Sequence, residues 1–108
     1  MPYEEINAIT QCFVEQLPVR RVYLFGSFAD GTYTSDSDLD FYLIVDAMPK
    51  EPSELIFQAY KSIRHVRRHP VDILAQTSET FEERKNRLTI ENEVFRKGIL
   101  LYSKESAA

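Results

Sequence analysis

Residues 25–45 read FGSFADGTYTSDSDLDFYLIV and combine a glycine-serine pair, a polar loop and alternating aspartates that lead into an apolar run. The segment Leu39–Val45 is nearly all apolar after Asp40, which predicts a strand covered on both faces. Asp38 and Asp40 are two residues apart where this strand begins, so their side chains share one face, with Cα atoms about 6 to 7 Å apart. The stretch therefore predicts a central strand that starts with a carboxylate pair.

The carboxylate pair indicates a metal site. Like charges at this spacing repel unless cations lie between them, and hard divalent ions such as Mg²⁺ take carboxylate oxygens as ligands. Neighbouring carboxylates can bridge two ions about 3.5 to 4 Å apart. A further carboxylate, Asp72, interrupts the apolar run Val71–Ala75, where burying an unpartnered charge costs free energy. We expect Asp72, on an adjacent strand, to complete the metal site or to accept a proton from an attacking hydroxyl.

The pair Gly26-Ser27 indicates a phosphate site. It follows a second predicted strand, Val19–Phe25, which is β-prone and apolar towards its end. A glycine there lets the backbone approach a ligand closely, and the following amides and the Ser27 hydroxyl can donate hydrogen bonds to phosphate oxygens. A phosphate cradle beside Mg²⁺-binding carboxylates predicts a nucleoside triphosphate site and nucleotidyl transfer.

The remaining segments predict an α/β (α+β) fold in which a mixed β-sheet is flanked by helices. The first helix, 3–17, ends at Pro18, and a second helix extends through Val66 until Pro70 closes it. The polar segment 78–97 is predicted to be helical in one or two pieces, with Gly98 as its cap and 99–102 as a short final strand. Its expected apolar anchors are Phe81, Leu88, Ile90, Val94 and Phe95.

Composition limits the class of protein. The 108 residues predict a single domain spanning 1–108, and the single cysteine, Cys12, excludes an internal disulfide and any multi-cysteine zinc site. A net charge of −4 argues against direct, nonspecific DNA binding by phosphate neutralisation. No apolar run approaches membrane-spanning length and no secretory leader is recognisable, so we expect no membrane association and a cytoplasmic location.

As a combination, these motifs resemble the minimal nucleotidyltransferase (MNT) branch of the DNA polymerase β superfamily, whose motif is GS, ten residues, DxD and a later aspartate. Here HPVDILA (69–75) matches the third carboxylate, and KGILLY (97–102) resembles the usual ending of the branch. The resemblance implies the nucleotidyltransferase fold and a cofactor of Mg²⁺, with two ions. The implied roles are triphosphate binding for Gly26 and Ser27, metal binding for Asp38 and Asp40, and metal binding or deprotonation for Asp72.

Many members of the branch resemble the antitoxin of HEPN/MNT toxin-antitoxin pairs, which transfers AMP from ATP to a tyrosine of its partner. The resemblance therefore implies ATP or another nucleoside triphosphate as substrate and a HEPN-domain protein as partner. Two positions depart from the family pattern, because Phe28 and Asp30 stand where members commonly carry arginines. The departures weaken the electrostatic attraction for a triphosphate but leave the metal site untouched.

Other interpretations stay open from the sequence. The chain could neutralise a toxin by binding alone, could modify a small molecule such as an aminoglycoside, or could pair with a second copy through exposed strand edges. A calcium loop starting at Asp36 is disfavoured because its sixth position, Phe41, must be glycine. The aspartate run could also be a solvated turn. His65 and His69 are expected on the surface, and the basic helix residues 61–68 are expected to be solvated or to contact an acidic partner or RNA.

Overall fold

The computed structural model describes residues 1–105 and contains a four-stranded mixed sheet with helices on both faces. The strand order is β3-β2-β1-β4, in which β2 and β3 are parallel and the other two pairs are antiparallel. The mixed sheet and the flanking helices confirm the predicted fold class. The elements are α1 (Tyr3–Gln16), β1 (Val19–Phe25), α2 (Ser27–Asp30), β2 (Leu39–Val45), α3 (Pro52–Ser62), β3 (Val71–Thr77), α4 (Ser78–Arg84), α5 (Ile90–Lys97) and β4 (Ile99–Ser103).

Strand β2 is the centre of the molecule. On one face, Phe41 packs edge-to-face on Phe13 of α1, with ring centroids 5.4 Å apart. On the other face, Tyr42 lies in a second apolar cluster with Phe81 of α4 and Val94 of α5. The prediction of a strand covered on both faces is therefore confirmed, since every residue from 41 to 45 is fully buried.

The second predicted helix is shorter than expected. Pro52 occupies its first turn, and the helix ends at Ser62 instead of continuing through Val66. The buried Ser62 hydroxyl donates to the Ala59 carbonyl at 2.7 Å, and Ile63 leaves the helical region with φ −104° and ψ 2°. Ile63 is nevertheless buried. It packs in the same core cluster as Leu55 and Ala59 of the helix, although it lies in the turn that follows.

The segment 78–97 is helical as predicted, and it forms two helices, α4 and α5, where the sequence left one or two pieces open. Phe81 and Val94 are buried anchors as expected. The other three anchors are wrong, because Leu88, Ile90 and Phe95 are exposed. The two helices are seven and eight residues long, and each turns only a narrow side towards the sheet, so apolar residues elsewhere on them remain in solvent.

A buried polar network fastens α4 and α5 to the centre of the sheet. The Tyr42 hydroxyl donates to Glu91 at 2.7 Å, and Arg84 Nε donates to the other Glu91 oxygen at 2.7 Å. Burial alone would raise the pKa of Glu91, but the bonds from Arg84 and Tyr42 hold that pKa below its ordinary value. Glu91 is therefore a buried carboxylate with partners for both oxygens.

We expect Tyr42→Phe to lower the free energy of unfolding by about 1.5 to 3 kcal/mol, because it removes one donor from a buried carboxylate. Urea unfolding followed by circular dichroism measures this loss. The matched control is Tyr23→Phe, because the Tyr23 hydroxyl makes no hydrogen bond within residues 1–105 although its ring stacks on Phe81. Equal stability losses in the two variants would contradict a role for the Glu91 network.

Two features mark the edges of the sheet. The predicted final strand is confirmed as β4, which pairs with β1, and Gly98 is the cap residue of α5 as expected. At the opposite edge, the outward amide of Ile73 in β3 donates to the Tyr60 hydroxyl of α3 at 3.1 Å. None of the helices in the described chain is long and apolar enough to cross a bilayer.

Candidate active site

The turn at Gly26 allows a carboxylate to lie directly against the backbone. Gly26 has φ +73° and ψ −156°, a conformation that is essentially restricted to glycine. A Cβ atom at this position would lie 2.2 Å from Oδ2 of Asp40. Gly26 is therefore required both for the direction of the chain and for the position of the Asp40 side chain.

A short helix follows the turn, where the sequence predicted no regular structure before the polar loop. The amides of Ala29 and Asp30 donate to the Gly26 carbonyl at 3.0 and 3.1 Å, which forms the single turn α2. The first amides of a helix, here those of Ser27 and Phe28, have no partner within the helix. Ser27 thus stands directly after the glycine that contacts Asp40, at the same end of the sheet.

The three predicted carboxylates lie at one end of the sheet. Asp40 is opposite Asp72 in the parallel β2–β3 ladder and opposite Phe25 in the antiparallel β1–β2 ladder. Neighbouring strands lie about 4.8 Å apart, so Asp40 and Asp72 are adjacent on the face that also carries Tyr42. Asp38 precedes Asp40 by two residues and is half-buried. The structure therefore brings together Asp38, Asp40 and Asp72, as the sequence predicted.

Burial and neighbouring carboxylates both disfavour the charged form of Asp40. Burial raises the pKa of Asp40 to about 6, with further contributions from the nearby charges of Asp72, Asp38 and Glu93. Asp72 itself is exposed because β3 is an edge strand. The expectation that Asp72 is a buried charge in need of a partner is therefore wrong, and its carboxylate is open to solvent.

The carboxylates suit a magnesium ion that is shared with a substrate. Within residues 1–105, no three His, Cys, Asp or Glu side chains are arranged to enclose one metal ion. Mg²⁺ is usually bound by one or two carboxylates together with substrate phosphates and water, so a closed protein cage is not required. The close approach of Asp40 to Gly26 and the raised pKa of Asp40 both fit a position where a cation is needed to offset negative charge.

The two positions that depart from the family pattern supply no positive charge. Phe28 is 3% exposed and belongs to the main core, where its ring stacks on Tyr33 with centroids 4.6 Å apart. Asp30 Oδ1 accepts hydrogen bonds from the Thr32 hydroxyl at 2.6 Å and the Thr32 amide at 3.0 Å, and these bonds lower the pKa of Asp30. Phe28 therefore packs in the core, and Asp30 stabilises the start of the loop that follows α2.

His69 is a structural residue, which corrects its prediction as ordinary surface. Its Nδ1 lies 2.6 Å from Oε1 of Glu5, and the second oxygen of Glu5 accepts the amides of Arg68 at 2.5 Å and His69 at 2.7 Å. Burial alone would raise the pKa of Glu5, but these bonds hold it below its ordinary value. These hydrogen bonds of Glu5 thus connect α1 to the turn that precedes β3 and Asp72.

We expect Glu5→Gln to lower the free energy of unfolding by about 2 kcal/mol at pH 7, since a charged acceptor of several hydrogen bonds is lost. Because the pKa of Glu5 is lowered in the folded state, its contribution is present above its unfolded pKa and is lost as the pH falls. The difference between wild type and Glu5→Gln should therefore shrink below about pH 4 in chemical denaturation. The neighbouring exposed residue provides the control, Glu4→Gln, for which we expect no comparable loss.

Two charged residues of α5 lie near the site, although no sequence pattern connected them with it. Glu93 is close enough to raise the pKa of Asp40, and Lys97 is close enough to help lower the pKa of Asp30. They are four residues apart and therefore lie on one side of the helix. That spacing was visible in the sequence, but nothing there indicated that α5 covers the carboxylate face of the sheet.

Comparisons with known proteins agree with this fold. The sequence profile of the family described as polymerase beta, nucleotidyltransferase matches residues 7–107. A toxin-antitoxin structure with AMP-PNP has a TM-score of 0.62 and 17% identity, with 99% of this chain and 77% of that chain covered. A mutant of the toxin-antitoxin pair MntA-HpeT has a TM-score of 0.61 and 20% identity, with coverage of 94% and 75%.

A candidate nucleotidyltransferase from Sulfolobus solfataricus is similar to the same degree, with a TM-score of 0.62, 18% identity and coverage of 94% of this chain and 80% of that chain. At these identities the likeness concerns the fold, and it confirms the predicted nucleotidyltransferase architecture. The family model confirms the predicted resemblance to the polymerase beta nucleotidyltransferases, and the toxin-antitoxin structures share this fold. No curated protein sequence matches the chain at a significant level.

Proposed function

Because the chain belongs to the polymerase beta nucleotidyltransferase family, we propose that it is a Mg²⁺-dependent enzyme that transfers AMP from ATP to a tyrosine hydroxyl of a HEPN-type toxin and thereby acts as an antitoxin. The observation that carries this proposal is the row formed by Asp72 and Asp40, with Asp38 beside it and Gly26 against Asp40. The similarity of the chain in fold to toxin-antitoxin proteins supports the antitoxin role. The reaction draws on ATP, which is consistent with a cytoplasmic protein.

Each residue has a distinct task in the proposed reaction. Asp38 and Asp40 would hold Mg²⁺, which when bound neutralises the triphosphate and stabilises charge on the leaving pyrophosphate. The backbone after Gly26 and the Ser27 hydroxyl donate to phosphate oxygens and orient the α-phosphate. The acceptor oxygen attacks the α-phosphorus, the bond to pyrophosphate breaks, and the hydroxyl proton moves to Asp72.

The exposure of Asp72 supports an acceptor carried by another protein. Asp72 lies on an edge strand with its carboxylate open to solvent, and Leu74 on the same face of β3 is 42% exposed. A tyrosine side chain on a partner surface can approach such an edge without entering a pocket. The proton acceptor is then the part of the site nearest to the partner.

A second function is favoured by the absence of cations at positions 28 and 30. Phe28 is committed to the core and Asp30 is an anion, so nucleotide binding has less electrostatic support than in the family pattern. A catalytically weak antitoxin that neutralises its partner by binding alone would tolerate both residues. The two functions differ in whether neutralisation requires Asp38 and Asp40.

The test is intact-mass spectrometry of the protein encoded by the adjacent gene after coexpression with this chain. We expect one or more added nucleoside monophosphates with wild type and none with the Asp38→Asn/Asp40→Asn variant. Unmodified toxin that copurifies with both forms would favour neutralisation by binding alone. A modified aminoglycoside with no modified protein would instead support a small-molecule enzyme.

A further inference from the structure

The two residues at positions 28 and 30, directly after the proposed phosphate-binding turn, supply no cation to the triphosphate site. Phe28 is buried in the core, and Asp30 adds a negative charge beside the Gly26-Ser27 turn. A triphosphate carries several negative charges, which carboxylates close to the site would repel. A cation from another part of the chain would offset this repulsion together with the bound Mg²⁺.

The register of the sheet brings the end of α5 to the turn. Strands β1 and β4 are antiparallel, with Leu24 opposite Ile99. Beyond this pair, β1 runs on through Phe25 to Gly26, and the chain before β4 runs back through Gly98 to Lys97, so the end of α5 and the Gly26 turn lie at the same end of the sheet. The intervening Gly98 supports this placement, because a Cβ atom there would lie 3.3 Å from the Leu24 carbonyl oxygen.

Helix α5 also packs on the face of the sheet that carries Asp40. Its Val94 packs in the cluster that contains Phe25 and Tyr42, which is the face that carries Asp40. The charge of Glu93 adds a small part to the raised pKa of Asp40, and the charge of Lys97, one turn later, adds a small part to the lowered pKa of Asp30. On this side of α5, Glu93 is therefore nearer to the proposed metal-binding carboxylates, and Lys97 is nearer to the proposed phosphate-binding turn.

We propose that Lys97 binds the triphosphate of the nucleotide and supplies the positive charge that Phe28 and Asp30 do not. This inference rests on the proposed function and assigns a further substrate-binding residue to the same site. A lysine ammonium is a point charge on a flexible stem, so it can reach phosphate oxygens from the helix end without the fixed geometry of an arginine. Lys97 is exposed, which leaves its ammonium free to turn towards a ligand.

Isothermal titration with Mg-ATP and with AMP tests the proposal in the absence of any partner. We expect Lys97→Gln to raise the Kd for Mg-ATP about tenfold, because a charge-assisted contact with phosphate is lost. The Kd for AMP should change less than about twofold, since AMP lacks the β- and γ-phosphates that a residue beside the turn would contact. Lys97→Arg should keep the wild-type Kd within about threefold, because the charge is preserved.

The matched control is Arg96→Gln, which removes the same charge from the neighbouring residue. Arg96 is exposed and donates to Asn92 on its own helix at 3.4 Å, about a quarter of a turn from Lys97. We expect its Mg-ATP affinity to equal that of wild type. Asp30→Arg introduced into Lys97→Gln should recover most of the lost affinity, because it returns a cation to the turn.

The outcomes separate this inference from the proposed function. Wild-type protein that binds no Mg-ATP would overturn both. Tight binding of Mg-ATP by wild type together with an unchanged Kd in Lys97→Gln would overturn the role of Lys97 alone. Equal losses of affinity for Mg-ATP and AMP, or equal losses in Lys97→Gln and Arg96→Gln, would also overturn it, since either result indicates general surface charge.

Discussion

Replacing Asp40 with asparagine is expected to lower the rate of nucleotidyl transfer at least about a thousandfold, because it removes a metal-binding charge from the reacting centre. The side chain keeps its shape, so its close contact with Gly26 is retained. Transfer of AMP to the partner, followed with labelled ATP, measures the loss. Asp36→Asn is the matched control because Asp36 is an exposed loop residue within the same aspartate run, and it should keep full activity.

The same substitution should stabilise the metal-free protein at neutral pH. The pKa of Asp40 is raised to about 6, so the charged carboxylate opposes folding above that pH, and the penalty disappears as the pH falls towards the unfolded value. Full conversion of the shift would give about 3 kcal/mol, but solvent screens this half-buried group and we expect about 1 kcal/mol. Asp40→Asn should therefore exceed wild type in stability at pH 7.5 with a chelator and match it near pH 4. Lower stability at pH 7.5 together with retained transfer would contradict the assignment.

Gly26→Ala is expected to cost about 2 to 4 kcal/mol of folding free energy, because the backbone conformation is strained for any other residue and the added Cβ meets the Asp40 carboxylate. Displacing Asp40 by about 1 Å should also reduce the transfer rate about a hundredfold. Denaturant unfolding and single-turnover transfer measure the two effects separately.

The control for this variant is another glycine with positive φ. Gly31 has φ +84°, but a Cβ atom there would meet nothing within 4 Å. Gly31→Ala should therefore cost about 1 kcal/mol from backbone strain alone and leave the transfer rate unchanged. If Gly26→Ala behaves like Gly31→Ala, the contact between Gly26 and Asp40 does not control the site.

The sequence could predict the features that depend on local chemistry. The apolar run that follows the DxD motif predicted β2, and the spacing of the motif placed Asp38 and Asp40 on one face. The nearby third carboxylate, Asp72, was also predicted. The final strand β4 followed from turn residues and apolar spacing, and residues 78–97 were predicted to be helical in one or two pieces. These features need only a few neighbouring residues to specify them.

Features that depend on the order of the strands were beyond the sequence. The exposure of Asp72 follows from the edge position of β3, which the apolar run around it concealed. The bond between Glu5 and His69 joins residues 64 positions apart, so neither residue predicts the other. Lys97 and Glu93 reach the site only because α5 lies on the carboxylate face of the sheet. The helix α2 has four residues, and its formation depends on the Gly26 turn.

The hydrogen bond between Tyr60 and the Ile73 amide determines how another molecule can approach the proposed proton acceptor. The tyrosine hydroxyl occupies a backbone donor that an incoming strand would need, so continuation of the sheet beyond β3 requires displacement of the ring. A partner that reaches Asp72 would instead approach above the sheet with its side chains. Recognition of different partners could then change through substitutions on the surrounding helices, while the backbone that holds the carboxylates stays the same.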